Sequence, residues 1–168
     1  MDRRFVFESG YASQLGNKDV IRLITGIAHV AYAVSDLDRT LDFYCRGLGL
    51  REAFRLYDDN GQTRIVYVQV RDLDFIEFFP RRPGMPSGTE ARPGAASFRH
   101  LSLAVDDMQA TVRELAARGI HTEKEPIRGK DLNWQSWIVD PDGNRIELMQ
   151  IAADSPQNKA ALEASAIR

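Results

Sequence analysis

The sequence predicts an α+β fold built as two tandem βαβββ modules, and three observations lead to it. A stretch that begins at residue 29, HVAYAVSDLDRTLDFYCRGLG, returns 71 positions later as HLSLAVDDMQATVRELAARGI. A second matching pair, FIEFF at 75–79 and RIELM at 145–149, lies 70 positions apart. Apolar and polar residues alternate in these segments as they do in half-buried strands. A chain of 168 residues therefore suits one domain made of two similar halves.

Each copy of the repeat opens with a strand, a polar cap and an amphipathic helix. Ser35 or Asp36 is the predicted cap in the first copy, and Asp106 or Asp107 is its counterpart in the second. Gly119 ends the second helix, because glycine readily adopts the backbone conformation that stops a helix. The first strand and the helix of each module follow from this pattern.

Three further strands are predicted in each half. Residues 51–70 have the pattern of a hairpin, with its turn at Asp59-Asn60-Gly61. IHTEKEP at 120–126 and NWQSWIVDPDG at 133–143 are the weaker counterparts in the second half. The segments FIEFF and RIELM supply the last strand of their respective modules.

These boundaries divide the chain into five parts. They are an N-terminal extension at 1–25, a first module at 26–80, a linker at 81–98, a second module at 99–151 and a C-terminal tail at 152–168. The modules and linker form a single domain, 26–151. The linker is rich in proline and glycine, and we interpret it as a plain connection rather than a loop over the site. The tail segment SPQNKAALEASAI predicts a short helix.

Composition narrows the classes of function. The chain has 22 basic and 24 acidic residues, a net charge of −2, which argues against nucleic-acid partners and a polybasic membrane anchor. No apolar run reaches the roughly 20 residues of a membrane span. The N-terminus lacks the apolar core of a signal peptide, so we expect a cytoplasmic protein. Cys45, the single cysteine, is interpreted as a structural or surface thiol.

Four polar side chains occupy matching strand positions opposite apolar faces. They are His29, Glu77, His100 and Glu147. The first pair is 48 residues apart and the second 47. Alternation places each of them on the face that does not pack under a helix. A lone His or Glu on a strand is usually a packed or solvent-facing residue, but a matched set of four favours a shared site.

A shared site of this composition suits a divalent metal ion. Buried carboxylates need a counter-charge, because an unpaired buried charge costs several kcal/mol. Two imidazole nitrogens and two carboxylate oxygens are ligands for Zn, Ni, Co, Mn or Fe, and the sequence does not select among these ions. His121 has no counterpart in the other half and is interpreted as a surface residue.

The motifs resemble the vicinal oxygen chelate superfamily, which includes glyoxalase I, methylmalonyl-CoA epimerase, extradiol dioxygenases and the fosfomycin and bleomycin resistance proteins. The resemblance rests on the paired modules, a His at the start of each, FYCRGLGL after the first helix and DPDGNRIEL before the last Glu, and it covers about 26–151. It implies an open, cupped, eight-stranded barrel that holds one metal ion.

By this resemblance His29, Glu77, His100 and Glu147 match the four metal ligands of glyoxalase I. The chemistry implied is isomerisation, epimerisation or a lyase reaction by proton transfer next to a metal-bound carbonyl of a small metabolite, with Glu147 or Glu77 as the base. Glyoxalase I enzymes commonly carry an Arg four residues after the first His and an Asn four after the first Glu, for glutathione. Ala33 and Arg81 stand there, so lactoylglutathione is a doubtful substrate.

Other side chains are candidates for substrate contacts. Arg145 shares the face of Glu147 and is a candidate for holding an anionic group, with a solvated arginine as the alternative. Gln135, Trp137 and Tyr67 are further candidates for lining the cup, although a core role is the commoner one for tryptophan.

Three other functions compete with the isomerase or lyase. An Fe(II) extradiol-type dioxygenase needs an open coordination position, so the discriminator is whether Glu77 binds the metal. A metal-free binding protein of the bleomycin-resistance kind has no need of the four ligands. A fosfomycin-type thiol transferase usually has one module per chain and three metal ligands, and this chain departs from both. The expected partner is a small-molecule substrate, with a homodimer as the alternative to a chain that acts alone.

Overall fold

A computed structural model describes residues 26–82 and 99–166. The predicted N-terminal extension at 1–25 and most of the predicted linker lie outside these residues. Within them, no helix is long and apolar enough to cross a membrane.

The first module forms a four-stranded sheet. Its strands are β1 His29–Val34, β2 Arg51–Tyr57, β3 Thr63–Arg71 and β4 Asp74–Pro80, in the order β1-β4-β3-β2. Strand β1 pairs with β4 in parallel, while β3 pairs with both of its neighbours in the antiparallel sense. The predicted hairpin joins β2 to β3, and Gly61 adopts a φ of +75° in its turn.

The second module repeats this arrangement. Its strands are β5 Leu101–Ala104, β6 Ile127–Arg128, β7 Trp134–Val139 and β8 Arg145–Gln150, in the order β5-β8-β7-β6. The pairing of β5 with β8 is parallel, like that of β1 with β4. The α+β class and the two βαβββ modules are confirmed, and the eight described strands form two sheets that do not close into a barrel.

The segment IHTEKEP was wrongly predicted to be a strand. Residues 121–126 form no strand, and β6 begins only at Ile127 and has two residues. Pro126 lacks the N–H that a strand needs to pair on both sides, so the ladder begins after it. One backbone bond, from the Glu123 N–H to the Trp137 carbonyl at 2.8 Å, ties the preceding segment to β7.

The helices begin at the same position of the repeat. Helix α1, Leu37–Leu41, and helix α2, Met108–Ala117, follow Asp36 and Asp107, whose carboxylates accept the N–H of the third residue on, at 3.0 and 2.9 Å. Of the alternatives the sequence offered, the aspartate next to the helix is the cap in both modules. A π-helical segment, Asp42–Gly47, continues α1, and a third helix, α3, covers Pro156–Ala166.

One hydrophobic core joins the two modules. The apolar faces of both sheets and the inner faces of α1 and α2 contribute to one buried cluster. Tyr44, from the π-helical segment, is fully buried beside Phe78 of β4, with ring centroids 4.7 Å apart. Its hydroxyl donates to Asp140, at the end of β7, at 3.0 Å. The sheet faces that contact the helices are therefore buried in the core, and the opposite faces are the ones available for a functional site.

Candidate metal centre

Each module brings its predicted histidine to its predicted glutamate. His29 Nε2 lies 3.3 Å from Glu77 Oε2, and His100 Nε2 lies 3.3 Å from Glu147 Oε2. In the parallel ladders Glu77 lies opposite Ala31, and Glu147 lies opposite Ser102. Each histidine therefore stands two residues before its glutamate's partner, on the same face of the sheet.

The glutamates are buried and the histidines are half open. The side chains of Glu77 and Glu147 are 6% and 7% exposed, against 43% and 35% for His29 and His100. The neighbours of Glu77 in β4, Ile76 and Phe78, point into the core on the other side of the sheet. Each module thus holds a buried carboxylate at the floor of a face whose rim carries an imidazole.

The donor atoms of each pair fit the coordination shell of one ion. Adjacent ligands at about 2.1 Å from a metal, at angles between octahedral and tetrahedral, lie about 3.0–3.4 Å apart. The observed distance of 3.3 Å in both pairs falls in that range. An imidazole nitrogen with a carboxylate oxygen is also a donor set that binds divalent ions.

The structure does not bring the four side chains together. Across residues 26–82 and 99–166, no three His, Cys, Asp or Glu side chains lie close enough to share a metal ion. Each module therefore presents half of the expected ligand set. We call the pair His29 and Glu77 the first half-site, and His100 and Glu147 the second half-site.

An aromatic ring stands beside each histidine, at equivalent strand positions. Tyr67 of β3 lies opposite Glu77, and Trp137 of β7 lies opposite Glu147. The Tyr67 ring is edge-on to His29 at a centroid distance of 6.2 Å, and the Trp137 ring is edge-on to His100 at 4.8 Å. Both rings therefore lie on the faces that carry the half-sites.

The two half-sites differ in what covers these rings. Phe54 of β2 stacks on Tyr67, with centroids 4.3 Å apart and planes at 19°. The Arg145 guanidinium lies 4.2 Å from the centre of the Trp137 ring, and it donates to Glu123 Oε2 through Nε at 3.1 Å and Nη2 at 2.7 Å. The first half-site has an apolar cover and the second has a cation paired with an acid.

The remaining sequence candidates have simpler surroundings. Gln135 lies on the same face of β7 as Trp137, and its amide donates to Asp131 Oδ1 at 3.0 Å. His121 is exposed. Cys45 is partly buried against the core, and burial raises the pKa of its thiol.

Sequence reasoning missed Phe54 as a neighbour of the site. A β-bulge shifts the register between Glu52 and Phe54, so simple alternation along β2 does not give the face on which Phe54 lies. The sequence also relates Tyr67 to Trp137. Their spacing of 70 residues, the same as that of Glu77 and Glu147, was the signal that makes them equivalent.

The chain matches a known family over most of its length. The family model described as the Glyoxalase/Bleomycin resistance protein/Dioxygenase superfamily matches residues 26–148. A probable chloroplastic lactoylglutathione lyase of Arabidopsis thaliana is 30% identical over 156 residues, which cover 86% of this chain. The match covers 43% of that relative, so this chain spans less than half of its length.

Two solved structures show the same fold. A glyoxalase family protein from Enterococcus faecalis matches with a TM-score of 0.64 at 23% identity, over 77% of this chain and all of that one. An antibiotic binding protein from Streptomyces sp. matches with a TM-score of 0.61 at 26% identity, over 79% of this chain and all of that one.

Proposed function

Because the chain belongs to the Glyoxalase/Bleomycin resistance protein/Dioxygenase superfamily, we propose that it is a divalent-metal-dependent enzyme of the glyoxalase I kind. It moves a proton next to the carbonyl of a small metabolite, in an isomerisation, epimerisation or lyase reaction. The observation that carries the proposal is the duplicated pairing of a buried carboxylate with an imidazole, at the same 3.3 Å, in both modules.

The proposed division of labour follows from burial. His29 and His100 would hold the ion through Nε2, and Glu77 and Glu147 through Oε2. A bound divalent ion supplies Lewis acidity that stabilises negative charge on a substrate oxygen. Glu77 or Glu147 accepts the proton at a carboxylate oxygen and returns it to the neighbouring carbon, and the buried position of both keeps water from competing.

We further propose that the metal site is completed by a second copy of the chain. The half-sites of one chain lie apart within the described residues, while each is open at its histidine. A twofold dimer would place the first half-site of one copy against the second half-site of the other. Two such sites per dimer give one metal ion per chain.

Metal analysis tests the ligand set. Protein purified without chelator is expected to hold about one Zn, Ni, Co, Mn or Fe ion per chain, and His29→Ala, Glu77→Ala, His100→Ala and Glu147→Ala to lose it. His121→Ala is the matched control, because its imidazole is exposed and outside both half-sites. Metal retained by all four ligand variants would refute the site.

A mixing experiment tests the dimer. A variant that lacks both ligands of the first half-site has no intact metal site in its homodimer, and the same holds for a variant that lacks both ligands of the second. A dimer that contains one copy of each variant has one intact site. Random assortment should restore about a quarter of the wild-type metal content, since half of the dimers are mixed and each has one site of two. A site completed within one chain would show no restoration at all.

The alternatives give different results in the same assays. Iron bound with Glu77 dispensable would favour an oxygenase, because an open position is what oxygen activation needs. The 26% identity with an antibiotic binding protein favours a binding role as the second candidate. Absence of metal after reconstitution, together with tight binding of an apolar ligand, would support that role.

A further inference from the structure

A row of side chains crosses the first sheet on the face that carries the first half-site. Arg51 of β2 lies opposite Gln69 of β3, Gln69 lies opposite Phe75 of β4, and Phe75 lies opposite His29 of β1. With strands about 4.8 Å apart, the two ends of this row are about 14 Å apart. A cation thus stands at one end of the face and a proposed metal ligand at the other.

Arg51 is held in place by neutral groups. Its Nε and Nη2 both donate to Gln69 Oε1, and Gln69 Nε2 donates to the Asp72 carbonyl at 2.7 Å. Asp72 has a φ of 44°, an uncommon conformation for a residue other than glycine, and it presents that carbonyl in the turn after β3. The chain of bonds orients the guanidinium without neutralising its charge.

The outer edge of this guanidinium remains available. A guanidinium has five N–H groups, and the bonds to Gln69 use one on Nε and one on Nη2. The pair Nη1 and Nη2 can receive a carboxylate in the bidentate geometry that arginine favours. Arg145 donates through the same two nitrogens, but its acceptor is the carboxylate of Glu123, so its charge is already paired within the chain.

An aromatic cluster lies on the same face, with Phe75 within the row and Tyr67 and Phe54 beside it. Phe54, Tyr67 and Phe75 contact one another, with ring centroids 4.3 to 6.5 Å apart. Phe54 is 46% exposed and Tyr67 is edge-on to His29. Exposed ring faces of this kind stack with flat apolar groups.

We propose that Arg51 and this aromatic cluster select the substrate, which carries a carboxylate at one end, a flat apolar group in the middle and the reacting oxygens at the other end. The assignment rests on the proposed function, because it places the reacting end at His29 and Glu77. Arg51 is the specificity-determining residue and Gln69 is the residue that positions it.

Calorimetric titration of the full chain tests this class of ligand. The probes are 3-phenylpropionate, its neutral amide 3-phenylpropionamide, and hexanoate, which keeps the carboxylate but lacks the ring. The variants are Arg51→Gln and Phe54→Leu, both at exposed positions. Arg64→Gln is the matched control, because it also removes one positive charge at an exposed position. Arg64 lies two residues before buried Val66 in β3, so it is on the face of the sheet opposite to Arg51.

We expect 3-phenylpropionate to bind about tenfold more tightly than the amide, because only the acid can form a charged hydrogen-bonded pair with Arg51. Arg51→Gln should abolish this preference, Arg64→Gln should keep it, and Phe54→Leu should weaken both aromatic probes. Equal binding of acid and amide, equal effects of the two arginine variants, or no saturable binding at millimolar concentration would overturn the assignment.

Metal content, measured on the same samples, separates this inference from the proposed function. A chain that holds metal through its four ligands but shows no preference for the acid overturns the substrate class alone. A chain that prefers the acid through Arg51 but binds no metal supports the anion site and overturns the metal-dependent reaction.

Discussion

The bond between Tyr44 and Asp140 makes a quantitative prediction about how the two modules hold together. Tyr44 is fully buried, and Asp140 is 5% exposed. The Asp140 carboxylate accepts four hydrogen bonds, three from within its own turn and one from the Tyr44 hydroxyl. Tyr44→Phe removes the bond that comes from the other module and keeps the buried aromatic ring.

The expected loss follows from the charge of the acceptor. A hydrogen bond to a charged group contributes about 1.5–3 kcal/mol, more than one between neutral groups. The Tyr44→Phe variant should therefore lose about 1.5–3 kcal/mol of unfolding free energy in urea denaturation at neutral pH. Tyr57→Phe is the matched control, because Tyr57 is 60% exposed, and it should change stability by less than about 0.5 kcal/mol.

The same residue predicts a dependence on alkaline pH. Burial, and then the negative charge of Asp140, raise the pKa of Tyr44 in the folded chain. The unfolded phenol titrates near pH 10, so above that pH the unfolded state loses a proton that the folded state retains. The free energy of unfolding therefore falls as the pH rises above 10. At pH 11 this residue should account for a loss of about 1.4 kcal/mol relative to neutral pH.

Urea denaturation of both variants at pH 7 and pH 11 checks both predictions. Tyr44→Phe should show the smaller alkaline loss, because phenylalanine cannot titrate. A neutral-pH loss no larger than that of Tyr57→Phe would refute the role of the bond. An alkaline loss unchanged by Tyr44→Phe would refute the titration argument.

Three further substitutions test local features by thermal or urea denaturation. Asp107→Ala should cost about 1 kcal/mol by removing the cap of α2, whereas Asp106→Ala should not, and equal losses would place the cap elsewhere. Gly119→Ala should cost about 1 kcal/mol because its φ is +81° although its surroundings are open, while Gly26→Ala, without a positive φ, should be neutral. Asn133→Ala removes a fully buried amide that donates to Gln157 in the first turn of α3 and accepts from the N–H of Ala152, four residues before that helix. Proteolysis should therefore release α3 sooner than in wild type.

Local patterns in the sequence predict much of the fold. Strand alternation put His29 and Glu77 on one face, and the ladder of β1 with β4 agrees with that face. The sequence also predicts where the helices begin. The Asp36 and Asp107 side chains bond to an N–H only three residues away, so this contact depends on local sequence alone.

The features that the sequence did not reveal depend on longer-range geometry. The bulge in β2 changes the face of Phe54, and nothing in the strand's composition marks it. The sequence pattern predicts that four ligands share one site. The relative position of the two sheets, however, depends on how whole modules pack, which the strand pattern does not contain. That packing buries Tyr44 against the second module and leaves the half-sites apart.

The unequal covers of the two half-sites have a consequence for how the proposed enzyme would divide work between its two glutamates. If two identical half-sites shared one ion, a twofold axis would make two orientations of a bound substrate equivalent, and either glutamate could act on the reacting carbon. Phe54 over Tyr67 and Arg145 over Trp137 make those orientations unequal in energy. In the proposed enzyme one orientation would then be preferred, and the reacting carbon would meet the same glutamate in each turnover. The side chains around the ligands, rather than the matching ligands themselves, would decide which carboxylate acts as the base.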